Sequence, residues 1–107
     1  MKAINMNREQ FQAALAEGKP LLVDYWAPWC GYCRRIDGAY QRIAVEFADR
    51  LTVAKVNIDE EPQLAEQERI EVIPTLVLYR DGKAVDSIVA PESKARIGEF
   101  LEKTLNK

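Results

Sequence analysis

Apolar and polar positions along the chain recur with the periods of strands and helices. The pattern predicts five strands, at Ala3–Met6, Leu21–Ala27, Thr52–Ile58, Thr75–Tyr79 and Ala84–Val89. The run Leu21–Ala27 is almost wholly apolar, as is typical of a strand that is buried on both faces of a parallel sheet. Asp81-Gly82 favours a tight hairpin turn between the last two strands.

Helical patterns separate the other strands. They predict helices from Asn7 to Gly18, from Gly31 to Asp49, from Pro62 to Glu68 and from Ser93 onward. Asn7 and Gln10 have the spacing of a capping box, and the long second helix has an apolar stripe at Ile36, Tyr40, Ile43 and Phe47. The resulting β-α-β-α-β-α-β-β-α order predicts an α/β fold, with a parallel sheet covered by helices and an antiparallel hairpin at one edge.

Length and composition narrow the classes of function. A chain of 107 residues with 48% hydrophobic residues predicts one domain, residues 1–107, with a hydrophobic core that needs no structural disulfide or metal for stability. The net charge is −2, and no basic stripe or basic amphipathic helix indicates a nucleic acid or a membrane as partner. The N-terminus lacks the apolar segment of a signal peptide, so we expect a cytoplasmic protein if Met1 is the natural start.

The segment Trp29-Cys30-Gly31-Tyr32-Cys33 holds both cysteines of the chain. A spacing of three places them on one side of a helix, close enough to bridge, which predicts thiol–disulfide exchange. A zinc site needs about four ligands, and the chain has two cysteines and no histidine, so only a site shared between chains stays open. A purely structural disulfide is the other alternative. A disulfide that closes so short a loop stabilises the folded state by only about 2 kcal/mol, against about 4.7 kcal/mol for one that closes a 100-residue loop.

The position of the cysteines suggests a role for each. Cys30 opens a helix, whose free N–H groups and positive dipole end favour a thiolate, so we expect it to be the exposed nucleophile. Cys33, one turn further, is expected to be the resolving thiol. Gly31 would let another backbone approach closely. Arg34 and Arg35 add positive charge there, or they belong to an ordinary solvated helix face.

Three residues outside the cysteine segment are also unusual. Asp24 interrupts an apolar strand, so burial is expected to raise its pKa and to suit it to proton transfer, unless it caps a neighbouring backbone group. Lys55, on the next strand, either pairs with Asp24 or extends to solvent. Pro74 precedes a strand, and its local sequence gives no reason to expect a cis peptide bond.

Taken together, these segments resemble the thioredoxin family from one end of the chain to the other. The matching stretches are residues 23–31, residues 53–59, and Ile73-Pro74-Thr75-Leu76 with the Asp81-Gly82 turn. The resemblance implies the thioredoxin fold, a central mixed sheet with helices on both faces. It also implies a protein-disulfide reductase in which Cys30 attacks the substrate, Cys33 resolves the mixed disulfide and Asp24 is the acid–base group.

Further expectations follow from the resemblance. Lys55 would lie beside Asp24 and modulate it, and Pro74 would be cis and next to the cysteines. Substrates would dock on a surface made by Trp29, Gly31, Tyr32, Ile73, Pro74 and Val89–Pro91, including Ala90. The active group would be the redox-active Cys30–Cys33 disulfide, with no tightly bound cofactor. The partners would be protein disulfides and a flavin- and NADPH-dependent thioredoxin reductase, and the chain would be a monomer.

Three positions depart from the family pattern. Tyr32 stands where proline is usual, and loss of that proline generally gives a less reducing protein. Gly38 replaces a proline that kinks the helix, and Ala90 replaces a glycine beside the active site. Tyr32 motivates a first alternative, a disulfide isomerase or weak oxidant. A second alternative is a non-catalytic binding subunit with the same fold.

Overall fold

The computed structural model describes residues 2–106, and its elements follow the predicted order. The strands are β1 Ile4–Asn5, β2 Leu21–Trp26, β3 Thr52–Asn57, β4 Thr75–Arg80 and β5 Lys83–Val89. The helices are α1 Arg8–Glu17, α2 Gly31–Glu46, α3 Pro62–Gln67 and α4 Lys94–Leu105. Within this described range, no helix has the length and apolar character needed to cross a membrane.

The strands form one mixed sheet in the order β1-β3-β2-β4-β5. β3 is parallel to both β1 and β2, whereas β4 is antiparallel to β2 and to β5. The prediction of parallel strands with an antiparallel hairpin at one edge is therefore confirmed. The sheet places β2 at its centre, so the chain that leaves the end of β2 emerges in the middle of the molecule.

Helices cover both faces of the sheet. The even-numbered residues of β2 and β4, such as Leu22 and Leu76, pack against α2 and α4 in one cluster. The odd-numbered ones, such as Val23 and Val77, pack against α1 and α3 in a second cluster. Because side chains alternate along a strand, Asp24 is on the same face as Leu22 and faces the α2 side.

Local signals in the sequence set the ends of α1 and the turn between β4 and β5. The capping box of α1 is present, with Asn7 and Gln10 bonding each other's backbone N–H groups, and Gly18 ends the helix with φ of 74°. In the β4–β5 turn, Asp81 and Gly82 have φ of 55° and 77°, the positive values that a type I′ hairpin requires. Both predictions are confirmed.

The predicted end of the long helix at Asp49 is wrong, because α2 ends at Glu46. After it the chain turns, and the N–H groups of Arg50 and Leu51 both donate to the carbonyl oxygen of Phe47. This turn buries Phe47 and Leu51 together in the cluster on the α2 face. The free energy gained by burying both side chains exceeds that of continuing the helix. This is a tertiary effect, which the hydrophobic period of the segment cannot predict.

Candidate active site

The two cysteines form a disulfide at the start of α2, directly after the central strand. Cys30 is the N-cap residue of the helix, and the N–H of Cys33 donates to its sulfur at 3.2 Å. Their Cα atoms are 5.3 Å apart, inside the range that a disulfide spans. The helix N-terminus therefore directs at the Cys30 sulfur an N–H that has no partner within the helix, and this N–H would stabilise a thiolate.

Access to the disulfide is asymmetric. Trp29, just before it, is 66% exposed, whereas Cys30 is 9% and Cys33 3% exposed. The Trp29 indole N–H donates to Asp59 at 3.2 Å, which links this exposed ring to the segment after β3. Cys30 is the more accessible sulfur-bearing residue of the pair, the order expected if it attacks first.

A loop distant in sequence lies against the disulfide. The Ile73–Pro74 peptide bond is cis, the geometry that the resemblance implies and the local sequence does not. The carbonyl oxygen of Ile73 is 4.0 Å from the Cys30 sulfur, and Ile73 packs against the small cluster of Ala27 and the two cysteines. The loop before β4 thus forms one wall of the site.

The segment after β5 is joined to the same site. Ala90 donates its N–H to the carbonyl oxygen of Pro74 at 2.9 Å. The Tyr32 hydroxyl donates to the carbonyl oxygen of Pro91, also at 2.9 Å. Ala90 has φ of 44°, a left-handed conformation that favours glycine. Tyr32 therefore connects the residues between the cysteines to the segment expected to dock substrates.

Gly31 is exposed and open. Within the part of the chain that is described, no atom comes within 4 Å of the position that a Cβ would occupy, leaving out its two chain neighbours and the helix's own adjacent backbone. The Arg34 guanidinium donates to the carbonyl oxygen of Pro28 at 2.6 Å. This hydrogen bond braces the loop between β2 and α2.

Asp24 is fully buried on the α2 side of the sheet. Among residues 2–106, neither of its carboxylate oxygens has a hydrogen-bond partner. Desolvation raises the pKa of Asp24 from 3.8 to about 7, with the positive charge of Lys55 lowering it and the negative charge of Asp37 raising it. A carboxyl group that gains and loses its proton near neutral pH can act as a general acid or base.

Lys55 faces Asp24 in the sheet but bonds to Asp37. It is directly opposite Asp24 in the register of β2 and β3, yet its Nζ atom is 2.6 Å from Asp37 Oδ1 and forms an ion pair there. The same ammonium group lies 4.2 Å from the centre of the Trp26 ring. Among the described residues Lys55 makes no direct bond to Asp24, although its charge lowers the pKa of that carboxyl group, and its side chain is 11% exposed.

Sequence reasoning missed Asp37, and it missed the hydrogen bonds from Trp29 to Asp59 and from Tyr32 to Pro91, although residues 53–59 and Val89–Pro91 were included in the resemblance. Asp37 follows Cys33 by four residues and precedes Tyr40 by three, so helical spacing places all three on one face of α2. Tyr40 belongs to the apolar stripe of α2, whereas the acidic Asp37 beside it does not, so the hydrophobic pattern gives no signal for Asp37. Nothing in the sequence indicates the other two partners, because both lie on segments distant from the tryptophan and tyrosine that they bind.

Comparison with known proteins agrees with this geometry. The family model described as thioredoxin matches residues 2–103. The chain belongs to the thioredoxin family. It is 48% identical over 91 residues to thioredoxin from Acidithiobacillus ferridurans, covering 85% of this chain and 84% of the relative. It is 43% identical over 94 residues to thioredoxin 1 from Synechococcus elongatus, covering 88% of each.

A solved structure has the same fold. A mutant thioredoxin from Halobacterium salinarum superposes with a TM-score of 0.86 at 24% identity, covering 95% of this chain and 89% of that one. The predicted thioredoxin fold and family are confirmed. As a member of the thioredoxin family with an intact pair of redox cysteines, the chain is a thiol–disulfide oxidoreductase that reduces protein disulfides.

The described residues also bear on metal binding. Between residues 2 and 106, no group of three or more histidine, cysteine or acidic side chains is arranged to hold a metal ion. Both cysteine sulfurs are engaged in the disulfide, which is the redox-active group of the site.

Proposed function

We propose that this protein transfers two electrons to protein disulfides through the Cys30–Cys33 pair and is then reduced again by a flavin- and NADPH-dependent thioredoxin reductase. The observation that carries the proposal is the disulfide at the N-terminus of α2, with the cis-Pro74 loop beside it. The family match supports disulfide substrates and a reductase as partners in general.

Two thiol–disulfide exchange steps transfer the electrons. The Cys30 thiolate attacks one sulfur of the substrate disulfide, which forms a mixed disulfide and releases the other substrate sulfur as a thiolate. The Cys33 thiolate then attacks the Cys30 sulfur, which releases the second substrate sulfur as a thiolate and leaves the Cys30–Cys33 disulfide. Asp24 is proposed to accept the Cys33 proton as Cys33 becomes the attacking thiolate, since its pKa of about 7 lets it do so at neutral pH.

The docking surface is proposed to comprise Trp29, Gly31, Tyr32, Ile73 and Ala90 around the disulfide. Exposed Trp29 offers a large apolar contact, and open Gly31 permits close approach of another backbone. A substrate chain would pair with the backbone at Ile73 like an added strand.

We also propose that the protein acts as a monomer in the cytoplasm. A reducing compartment such as the cytoplasm keeps thiols of this kind reduced, which suits a protein that must present free thiols to its substrates. Light scattering of the purified chain checks the monomer. Rapid alkylation of thiols in fractionated cells checks whether the pair is largely reduced in the cytoplasm, and a fully oxidised pair would contradict the location.

A second candidate function is that of a disulfide isomerase or weak oxidant, favoured by Tyr32 at the usual proline position. The test is the reduction potential of the Cys30–Cys33 pair, equilibrated with glutathione and compared with the Tyr32→Pro variant. A potential near about −270 mV supports the reductase, whereas one near about −180 mV supports the isomerase. Turnover of a protein disulfide with NADPH and thioredoxin reductase then checks the proposed partner.

A further inference from the structure

The ammonium group of Lys55 bonds to Asp37 and not to the Asp24 carboxylate that it faces in the sheet. Asp24 and Lys55 are register partners on adjacent parallel strands, and both side chains are on the α2 side of the sheet. Nevertheless, the Lys55 Nζ atom bonds to Asp37 Oδ1 at 2.6 Å and lies over the Trp26 ring. Asp24 is left without a hydrogen-bond partner among the described residues.

Asp37 is well placed to hold this ammonium group. It lies one turn beyond Cys33 on the same face of α2, at the border between core and solvent. Its side chain is 37% exposed, so its charge is partly hydrated, whereas that of Lys55 is 11% exposed. The side-chain amide of Gln41 also donates to Asp37 Oδ1, at 3.4 Å, which helps to fix the orientation of the carboxylate.

We propose that Asp37 is a positioning residue that engages Lys55 and thereby keeps the buried Asp24 unpaired for proton transfer. This inference deepens the proposed function, because it rests on Asp24 as the acid–base group. A lysine that paired with Asp24 would stabilise the ionised carboxylate, and Asp24 would then hold a proton poorly near neutral pH.

Among the described residues, two charged side chains shift the pKa of Asp24 in opposite directions. From α2, Asp37 contributes a negative charge and Tyr40 a hydroxyl, which donates to the carbonyl oxygen of Ala54 at 2.6 Å. From β3, Lys55 contributes the positive charge. From β4, the register partner of Asp24 is apolar Leu76. Removal of the Asp37 charge therefore acts twice in the same direction, since it removes repulsion and frees the ammonium group for Asp24.

The decisive experiment is a carbon-13 NMR titration of the Asp24 carboxyl group in the oxidised protein, which requires no turnover. In the wild-type protein we expect a midpoint near pH 7. In the Asp37→Asn variant we expect the midpoint to fall by about one pH unit or more, the size of effect typical when an opposite charge comes within hydrogen-bonding reach. An unchanged or higher midpoint in Asp37→Asn would overturn the proposal.

Glu46→Gln is the matched control. Glu46 is also an acidic residue of α2, but its ion pair is with Lys94, at 2.7 Å, away from Asp24. Its loss changes the net charge by the same amount as Asp37→Asn. We expect it to leave the Asp24 midpoint where it is, and an equal fall in both variants would show a general charge effect and contradict the proposal.

A Lys55→Met background separates positioning from direct repulsion. Without Lys55, Asp37→Asn can act on Asp24 only by removing a negative charge, so its effect on the midpoint should fall to less than half. An effect of equal size in both backgrounds would mean that Asp37 does not act through Lys55. A different result would reject the acid–base role alone. It is that Asp24→Asn leaves the pH–rate profile of disulfide exchange unchanged, while the titration of Asp24 behaves as expected.

Discussion

The Tyr32 hydroxyl donates a 2.9 Å hydrogen bond to the carbonyl oxygen of Pro91, 59 positions later in the chain. Tyr32 lies between the two redox cysteines, and Pro91 follows the strand that ends beside the cis-Pro74 loop. A proline at position 32 has no side-chain donor and could not make this connection. The residue that departs from the usual family motif thus ties the helix that carries the disulfide to one edge of the proposed docking surface.

We expect Tyr32→Phe to raise the KM for protein disulfides about twofold or more. The variant keeps the ring but loses the hydrogen bond to Pro91, so the segment that contacts the substrate must be ordered on binding. Reaction with a small disulfide, which needs no such surface, should be nearly unchanged. Steady-state kinetics with both substrates checks this, and equal changes for the two substrates would contradict it. The free energy of unfolding should fall by about 0.5–1.5 kcal/mol.

Variants of the cysteines test the order of attack. Cys30→Ser should abolish disulfide reduction, because the hydroxyl is a far weaker nucleophile than the thiolate. Cys33→Ser should accumulate mixed disulfides between Cys30 and substrate, because nothing resolves them. Mass spectrometry of the trapped species gives the answer. Trapping by Cys30→Ser, with none by Cys33→Ser, would reverse the two roles.

The kinetic role of Asp24 is tested near neutral pH. Asp24→Asn should slow disulfide exchange about tenfold or more at pH 7, because a general base typically contributes at least that much. The deficit should shrink at pH 9, where a thiol with a pKa of about 8.5 ionises without help. Exchange rates measured from pH 6 to 9 check the profile, and identical profiles for variant and wild type would remove Asp24 from the mechanism.

Burial of Asp24 also predicts how stability changes with pH. Its pKa is 3.8 when exposed and about 7 when folded, so between these values the unfolded chain is ionised while the native one holds its proton. The stability contributed by Asp24 is therefore full below pH 3.8 and lost as the pH rises through about 7. At about 1.4 kcal/mol per pKa unit, the loss is on the order of 4 kcal/mol.

Asp24→Asn should remove this dependence. Its free energy of unfolding, measured with denaturant, should exceed that of the wild type at pH 8 and approach it near pH 4. A difference between variant and wild type that does not change with pH would show that Asp24 does not titrate in this range.

The left-handed backbone of Ala90 gives a prediction about glycine. A residue with a Cβ pays about 1–2 kcal/mol in this conformation, whereas glycine loses about 0.5–1 kcal/mol in chain entropy. Ala90→Gly should therefore raise the free energy of unfolding by up to about 1.5 kcal/mol. Ala84→Gly, in the extended and exposed part of β5, is the control and should lower it. Thermal unfolding of both variants distinguishes the two, and a loss of stability at both positions would contradict the argument.

Local signals in the sequence account for most of the fold. The capping box at Asn7, the Asp81-Gly82 turn and the stripe from Ile36 to Phe47 each depend on residues within a few positions of one another. Such signals predict element order and type because periodicity and turn chemistry are properties of short segments. They do not place the end of α2, where the burial of Phe47 and Leu51 decides.

The sequence by itself also predicted the chemistry, since two cysteines three positions apart at a helix start are close enough to open and close a disulfide. Only the tertiary structure decided which groups surround that disulfide. Lys55 binds Asp37 rather than Asp24, Tyr32 binds Pro91, and Asp24 has no hydrogen-bond partner in the described chain. These choices depend on distances of a few ångströms between side chains from separate elements, and such distances exist only once the sheet and its helices have packed.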